Sequence, residues 1–223
     1  MLENLANWKS IRRYTSDEVE NEKLSEILKA GNRAPSWENY QPWHFIVVRD
    51  SETKSILHDL SGGQRFITKA PVIILACADM QSFSENKARK QLAELFEANT
   101  GKPADEEIIN TGFIDRSLMT PVKLGYEITF ARALEQLSYA VSFMILEAGN
   151  QGLGACVVGA FGNKATKFMP ELYENLIKIL NLPDEILPLV MVTIGYPAED
   201  PKLRPRKPLD QICHNETFGN HWS

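Results

Sequence analysis

A loop of short polar and aromatic side chains is the first part of the chain that could bind a ligand. It spans residues 32–44, between a helical pattern and a strand pattern, where binding residues on rigid scaffolds often lie. Pro35 and Pro42 restrict its backbone, so we expect the residue before each, Ala34 and Gln41, to be extended. Such a loop suits a planar ligand with polar edges, whereas composition alone favours a plain connection whose Trp43 fills the core. The side chains in question are Ser36, Trp37, Asn39, Tyr40, Gln41 and Trp43.

Two basic clusters near the two ends of the chain could supply positive charge to the same ligand. Residues 9–14 read Lys-Ser-Ile-Arg-Arg-Tyr, and residues 204–208 read Arg-Pro-Arg-Lys-Pro. An isolated run of this kind is most often a solvated surface. Cations near both ends, with neutral polar groups between them, indicate one phosphorylated and planar ligand. A flavin nucleotide fits these requirements, and an enzyme that holds one needs few reactive side chains of its own.

A strand flanked by glycines is the third feature that could approach a ligand. Residues 152–161 read Gly-Leu-Gly-Ala-Cys-Val-Val-Gly-Ala-Phe. They do not fit Gly-x-Gly-x-x-Gly, because Val157 stands where the last glycine is needed, so a Rossmann dinucleotide site is not supported. Gly159 indicates either a place where the backbone lies close to a ligand or an ordinary strand end.

Other motifs that carry chemistry are missing from the sequence. It contains no His-Glu-x-x-His, no nucleophile elbow and no P-loop, and its four histidines lie far apart. Cys77, Cys156 and Cys213 form no Cys-x-x-Cys pair, so neither a zinc site nor a disulfide framework is indicated. We therefore expect no metal and no catalytic side chain.

Length and composition predict one domain, residues 1–223, with an extensive core. The 29 acidic and 24 basic side chains give a net charge of −5. This balance argues against nucleic-acid binding through overall charge, although a local cluster could hold one phosphate. No run of about 18 apolar residues occurs, and the N-terminus lacks a signal core. We expect no membrane contact and a cytoplasmic location.

Hydrophobic patterns predict the helices and strands that position these features. Helices are expected at residues 21–31, 51–60, 84–99, 130–149 and 164–180, the last interrupted at Pro170. Asn21 and Ser51 are the expected N-caps, the first in competition with a capping box at residues 15–18. Strands are expected at residues 44–48, 72–78, 152–161 and 186–194, and residues 101–129 have no clear period, as in lids and binding loops.

Two apolar segments predict contacts beyond the core. The helix at residues 130–149 is apolar around most of its circumference, which places it at the centre of the core or at a subunit interface. The C-terminal tail carries Phe218 and Trp222, and we expect it to pack on another surface, such as that of a neighbouring subunit.

Together, these stretches resemble the FMN-dependent nitroreductase family. The resemblance rests on residues 9–14, on Ala34-Pro35-Ser36-x-x-Asn39-x-Gln41-Pro42-Trp43, on Gly152-Leu-Gly154 running to Gly159-Ala160-Phe161, and on Gly195-Tyr196-Pro197 followed by residues 204–208. These stretches occur in family order. They imply an α+β fold, nitroreductase-like, with a mostly antiparallel central sheet flanked by helices, and an intertwined homodimer. Two FMN molecules would lie at the dimer interface, near the long helix and the tail.

The resemblance also implies which residues bind FMN. Ser10 and Arg12 would contact the ribityl chain and the pyrimidine edge, with Lys9 beside them. Arg65 would be a cation near the pyrimidine ring, and Arg204 and Arg206 would hold the phosphate. Gly159 and Ala160 would present a backbone N–H to the redox nitrogen of the flavin. Pro35, Ser36 and Asn39 would come from the partner subunit and cover the ring system.

Two positions depart from the family pattern. Trp8 stands where many members have the first arginine of a basic pair, so one phosphate cation is lost or supplied elsewhere. Gly159 stands where some members carry a glutamate, so no acidic side chain is available there.

The expected function is that of an FMN-dependent oxidoreductase. It would take hydride from NADH or NADPH and reduce a small-molecule acceptor, such as a nitroaromatic or a quinone. The alternatives are other redox chemistry on the same fold, namely dehalogenation, enone reduction or flavin destruction, and a non-catalytic flavin-binding protein.

Overall fold

The computed structural model describes residues 1–115, 121–159 and 167–222. A four-stranded antiparallel sheet lies at the centre of this described part. Its strands are β1 (Trp43–Val48), β2 (Val72–Asp79), β3 (Gly154–Val158) and β4 (Ile186–Gly195), in the order β1-β2-β4-β3. The α+β fold with an antiparallel central sheet is thus confirmed. The four predicted strands are all present, and β3 is shorter than its predicted span.

Both faces of the sheet are covered, which is why β2 has no alternation of polar and apolar residues. All eight residues of β2 are buried. Ile74 and Ala76 belong to one apolar cluster, whereas Ile73, Leu75 and Cys77 belong to a second one. Successive side chains of a strand point to opposite faces, so the two clusters are two separate layers of the core.

Eight helices flank the sheet in the described ranges. They are α1 (Glu3–Ala6), α2 (Asn21–Asn32), α3 (Ser51–Leu60), α4 (Phe66–Lys69), α5 (Glu85–Thr100), α6 (Glu106–Ile109), α7 (Tyr126–Asn150) and α8 (Pro170–Ile179). Short helical turns occur at Trp37–Asn39, Met80–Phe83, Asn110–Ile114, Pro121–Leu124 and Leu209–Gln211. No described helix is both long enough and apolar enough to cross a membrane.

Helix α7 is the longest element and packs between α2 and the sheet. Its buried face includes Leu137, Val141 and Met144. The approach to α2 is close, because a Cβ atom added at Gly31 would lie 2.7 Å from Cγ of Met144. The pattern at residues 130–149 predicted this helix, which begins four residues earlier than expected, at Tyr126.

The two expected N-caps were each wrong by one residue. Asp50 caps α3, since its carboxylate accepts from the Thr53 backbone N–H at 2.7 Å and from the Thr53 hydroxyl at 2.8 Å. A carboxylate in this position satisfies donors that the helix leaves unpaired. Helix α2 has Glu20 in the cap position, with no side-chain hydrogen bond there.

Two stretches that the sequence left uncertain are only partly described. Between residues 101 and 129 lie α6, two helical turns and the start of α7, while residues 116–120 lie outside the described residues. Pro170 is the first residue of α8, a position where its missing N–H costs no hydrogen bond. The predicted site residue Ala160 also lies outside the described residues.

Candidate functional site

The N-terminal segment at residues 9–14 is fixed between β3 and the chain that follows β4. The Ile11 N–H donates to the Ala155 carbonyl of β3 at 3.0 Å. On the other side, the Ala198 N–H donates to the Arg13 carbonyl at 2.9 Å. These bonds place the N-terminal basic cluster beside β3 and beside the chain that leads from β4 to the C-terminal basic cluster. Almost 200 residues separate the two clusters in sequence.

Two glycines allow this close approach. A Cβ atom added at Gly154 would lie 2.7 Å from Cβ of Ile11. A Cβ atom added at Gly195 would lie 2.5 Å from Cδ of Pro71 and 2.9 Å from Cδ1 of Tyr14. Real Cβ atoms do not come so close to their neighbours, so both positions need glycine for the segment to stay in place.

Tyr14 ties the same segment to β4. Its hydroxyl donates to the Ile11 carbonyl at 2.6 Å and lies 2.7 Å from Oγ1 of Thr193. Burial raises the pKa of Tyr14 well above its usual range, even though the Thr193 hydrogen bond acts in the opposite direction. The phenol thus stays neutral and can act as a hydrogen-bond donor.

Side chains of the two basic clusters line one small cavity of about 140 Å³, which we call the basic cavity. Five of the predicted FMN-binding residues meet there, namely Lys9, Ser10, Arg12, Arg204 and Arg206. Trp8, Pro201 and Lys202 complete its lining. The sequence reasoning missed Lys202, because it counted the second cluster only from Arg204 onwards.

A second cavity of about 680 Å³, the large cavity, shares Arg12 with the basic cavity. Arg65, another predicted residue, lines it together with Phe66, Tyr14 and Glu199. The guanidinium carbon of Arg12 lies 5.8 Å from the centre of the Phe66 ring. A space large enough for a flat group and a space suited to a small anion therefore share Arg12 in their linings.

Most cations of this site have no carboxylate partner. In the described part of the chain, Arg12, Arg65, Lys202, Arg204 and Arg206 form no salt bridge. Lys9 and Arg13 are the exceptions, since the Lys9 ammonium group pairs with Asp200 and the Arg13 guanidinium lies 3.9 Å from Glu199. The Arg206 guanidinium donates to the backbone carbonyls of Arg204 and Pro205, both at 3.3 Å. Uncompensated positive charge around a cavity favours an anionic ligand.

Glu199 holds the backbone of the N-terminal cluster in register. Its Oε1 atom accepts from the backbone N–H groups of Arg12 at 2.6 Å and of Arg13 at 3.1 Å. The carboxylate thus binds main chain, which leaves the Arg12 side chain available to both cavities. No pattern in the sequence identified this contact, because it joins residues 187 positions apart.

Gly159 follows β3 directly, where the strand leaves the sheet. It is exposed, and an added Cβ atom would meet nothing within 4 Å among the described residues. Packing against the described residues therefore does not require glycine here, which is compatible with the predicted close approach of a ligand.

None of the residues 32–44 lines either cavity. Its backbone is anchored to α7, since the Trp37 N–H donates to the Oε1 atom of buried Gln136 at 3.0 Å. Pro35 and Asn39 are exposed and Ser36 is half-buried, and none of the three lines the basic or the large cavity. A single chain therefore does not bring these three predicted residues to the cations.

The expected extended geometry at Gln41 was wrong. Gln41 has φ +46°, and Glu38 and Asn39 have φ values of +46° and +55°. Hydrogen bonds overcome the preference of a residue before proline, because the Gln41 N–H donates to Oγ of Ser36 at 3.0 Å and its carbonyl accepts from the Trp43 N–H at 2.8 Å. Three left-handed residues in such a short loop store strain, which is most common at functional positions.

The aromatic residues of the loop divide between core and surface. Tyr40 and Trp43 are 5% and 6% exposed and belong to the core. The plainer interpretation of Trp43 as a core residue is therefore confirmed, and Trp37 alone of the three is half-buried. The groups that the loop offers to a ligand are chiefly Pro35, Ser36, Trp37 and Asn39.

A second polar cluster surrounds buried Asp79, at the end of β2. Lys87 and Ser82 donate to its Oδ2 atom at 2.8 and 2.9 Å, and Nε2 of His44 lies 3.6 Å away. Burial acts to raise the pKa of Asp79, but the hydrogen bonds from Lys87 and Ser82 outweigh it and hold the pKa below its usual value. We interpret this cluster as a structural support, because none of its members lines the two cavities.

Comparison with known proteins identifies the family of the chain. The model of the nitroreductase family matches residues 5–196. The chain is 32% identical to an FMN reductase [NAD(P)H] of Bacillus subtilis over 99% of its own length and 75% of the relative. It is also 32% identical to an NADH dehydrogenase of Thermus thermophilus, over 92% of this chain and 90% of that protein.

A solved structure gives the same result at the level of the fold. NfrA1 of B. megaterium superposes with a TM-score of 0.71 and is 25% identical, over 97% of this chain and 74% of that one. Because the family model covers most of the sequence, including the N-terminal basic cluster and β1 to β4, this chain belongs to the nitroreductase family.

Proposed function

We propose that the chain is an FMN-dependent oxidoreductase that takes hydride from NAD(P)H and reduces nitroaromatic, quinone or related acceptors. The observation that carries this proposal is the meeting of Lys9, Ser10, Arg12, Arg204 and Arg206 around one cavity beside a larger one. Relatives named FMN reductase [NAD(P)H], oxygen-insensitive NADPH nitroreductase and NADPH-flavin oxidoreductase support it.

The residues at the two cavities fit FMN. A phosphate monoester carries nearly two negative charges at neutral pH and offers several strong acceptor oxygens. Guanidinium groups without carboxylate partners, such as that of Arg204, match this geometry. The large cavity adjoins the basic one and offers Arg65 and the Phe66 ring to a flat ligand.

FMN, when bound, supplies the hydride chemistry, and the protein contributes binding, orientation and electrostatics. Arg204 and Arg206 would hold the phosphate, and Ser10 and Lys9 would contact the chain that joins the phosphate to the rings. Arg12 and Arg65 would place positive charge near the pyrimidine edge, where it would stabilise the negative charge of a reduced flavin. Gly159, which directly follows β3, and Ala160 would present a backbone N–H to the flavin, and no side chain needs to act as a nucleophile.

The active form is an intertwined homodimer in which Pro35, Ser36 and Asn39 cover the flavin of the partner subunit. Several apolar side chains that a monomer would leave in water support this assembly. On α7, Tyr126 is 66% exposed and Tyr139 is 42% exposed. In the tail, Phe218 is 95% exposed and Trp222 is 54% exposed. The position of the loop, away from the cavities of its own chain, has the same explanation.

A single domain spanning the chain and a cytoplasmic location complete the proposal. Both stay predictions from the sequence. The acceptor is a small molecule that enters the same site after the nicotinamide has left.

Steady-state turnover with a panel of acceptors tests the activity. The purified chain, supplied with FMN, should oxidise NADH or NADPH faster when a quinone or a nitroaromatic compound is added. Turnover that appears only with a halogenated or enone substrate would assign the chain to one of the alternative redox reactions. Flavin binding without any turnover would identify a non-catalytic flavin protein.

A further inference from the structure

We propose that Lys202 is a phosphate-binding residue of this chain, a third cation that acts with Arg204 and Arg206. The inference rests on the proposed function, since it concerns the phosphate of the FMN assigned to the basic cavity. It adds a residue that the sequence patterns did not indicate.

Along residues 202–207, side chains that line the basic cavity alternate with side chains that do not. Lys202, Arg204 and Arg206 line the basic cavity. Leu203, Pro205 and Lys207 do not line it, although all six residues are exposed. Side chains that alternate in this way belong to an extended segment, in which every second residue faces the same side. Pro205 favours this geometry at Arg204, the residue before it.

Few other cations of the basic cavity are fully available to an anion in it. Trp8 lines the cavity and brings no charge. The Lys9 ammonium is paired with Asp200, which partly neutralises it before a ligand arrives. Arg12 lines both cavities and lies over the Phe66 ring, so its guanidinium is shared with the larger space.

Lys202 forms no salt bridge with any carboxylate in the described ranges. One guanidinium nitrogen of Arg206 already donates to the backbone carbonyls of Arg204 and Pro205. A phosphate of nearly two negative charges therefore has Lys202 as an available partner. The ammonium group has three donors and can reach the phosphate as a point charge.

A comparison of FMN with riboflavin isolates the phosphate, because riboflavin lacks it. Dissociation constants of both flavins are measured by fluorescence for the full-length chain and for Lys202→Met. Lys202→Met should weaken FMN binding about tenfold, the effect of losing one charged hydrogen-bond partner. It should leave riboflavin binding unchanged. Lys202→Arg should restore the preference for FMN.

Lys207→Met is the matched control, because it removes the same charge from the same segment without touching the cavity. It should keep the FMN preference of the wild-type chain. Salt provides a second measurement, since FMN binding by Lys202→Met should fall less steeply with ionic strength than wild-type binding.

Equal losses for FMN and riboflavin, or an effect of Lys207→Met as large as that of Lys202→Met, would overturn the assignment. An unchanged FMN preference in Lys202→Met would also overturn the assignment of Lys202. In that case, FMN binding and turnover by the wild-type chain would leave the proposed function intact. A wild-type chain that binds neither flavin would remove both proposals together.

Discussion

At the scale of single residues, the site is defined by cations whose charge the protein does not compensate. Arg204 and Arg12 come from opposite ends of the chain, line the same cavity and pair with no carboxylate among the described residues. Like charges brought together repel each other, so such an arrangement costs stability unless a ligand neutralises it. FMN binding should therefore stabilise the fold as well as enable turnover.

Arg206→Ala tests the phosphate contact directly. We expect FMN retention to weaken by about 1–3 kcal/mol, because the phosphate loses a charged hydrogen-bond partner. Equilibrium dialysis or fluorescence quenching measures the change, and Lys207→Ala is the control of equal charge. FMN affinity equal to that of the wild type in Arg206→Ala would contradict the phosphate assignment.

Asp79 gives a prediction about pH. Its pKa is lowered in the folded state by the Lys87 and Ser82 hydrogen bonds, which outweigh the effect of burial. The stability that it contributes is therefore fully present above the unfolded-state pKa of about 3.9. It is lost as the pH falls through the lower folded-state value.

Asp79→Asn should accordingly be less stable than wild type by about 1–3 kcal/mol at neutral pH. The gap should narrow between about pH 5 and pH 2, where the wild-type carboxylate takes up its proton. Urea unfolding at a series of pH values measures both free energies. A gap that stays constant over this range would show that ionised Asp79 does not supply the stability.

At the scale of elements, two glycines differ in what requires them: packing requires one, and the approach of a ligand is expected at the other. Gly154 lies against Ile11, so Gly154→Ala forces the N-terminal segment to move and should cost about 1–3 kcal/mol of stability. Gly159 meets nothing within 4 Å in the described structure, so Gly159→Ala should leave the melting temperature of the flavin-free chain unchanged.

The same Gly159→Ala change should weaken flavin binding, because the added methyl group would stand where the backbone approaches the rings. Thermal melts without flavin and FMN titrations measure the two effects separately. Unchanged FMN affinity in Gly159→Ala would remove the end of β3 from the flavin site.

Secondary structure could be predicted from the sequence wherever one pattern dominated. The unbroken apolar run of β2 and the strong period of α7 gave their type and approximate bounds. The conformation of Gln41 could not be predicted, because a hydrogen bond from its own N–H to Ser36 overrides the local effect of Pro42. The cap of α3 was displaced by one residue because Asp50 and Ser51 are both good N-caps.

The cations of the candidate site could be predicted from the sequence, whereas most residues that hold them in position could not. Lys9, Arg12, Arg204 and Arg206 were found because they stand in two short clusters with a resemblance to a family. Lys202 stands two positions before Arg204 and was missed because the second cluster was counted only from Arg204. Glu199 carries no local signal, and only folding brings it to Arg12. Such long-range contacts become visible when the register of β3 and β4 is known.

At the scale of the whole molecule, the proposed homodimer explains why the loop and the cations lie apart in one chain. Mixing two defective variants tests this arrangement. One variant carries Arg204→Ala and Arg206→Ala, and the other carries Asn39→Ala and Ser36→Ala. Each should be impaired alone, since either the phosphate contacts or the cover over the rings is missing.

Refolding the two variants together should restore up to about a quarter of the wild-type sites, because each mixed dimer rebuilds one intact site out of two. Turnover per subunit and light scattering provide the activity and the oligomeric state. Activity equal to the mean of the separate variants would mean that each subunit builds its site alone, and a monomer in solution would exclude the shared site.

The visible spectrum of the purified protein, before and after addition of NADH or NADPH, tests the central claim most directly. We predict a yellow protein, or one that takes up added FMN, whose flavin absorption is bleached by the nicotinamide and restored by a quinone or a nitroaromatic acceptor. A colourless protein that takes up no FMN, despite a folded structure, would contradict the account.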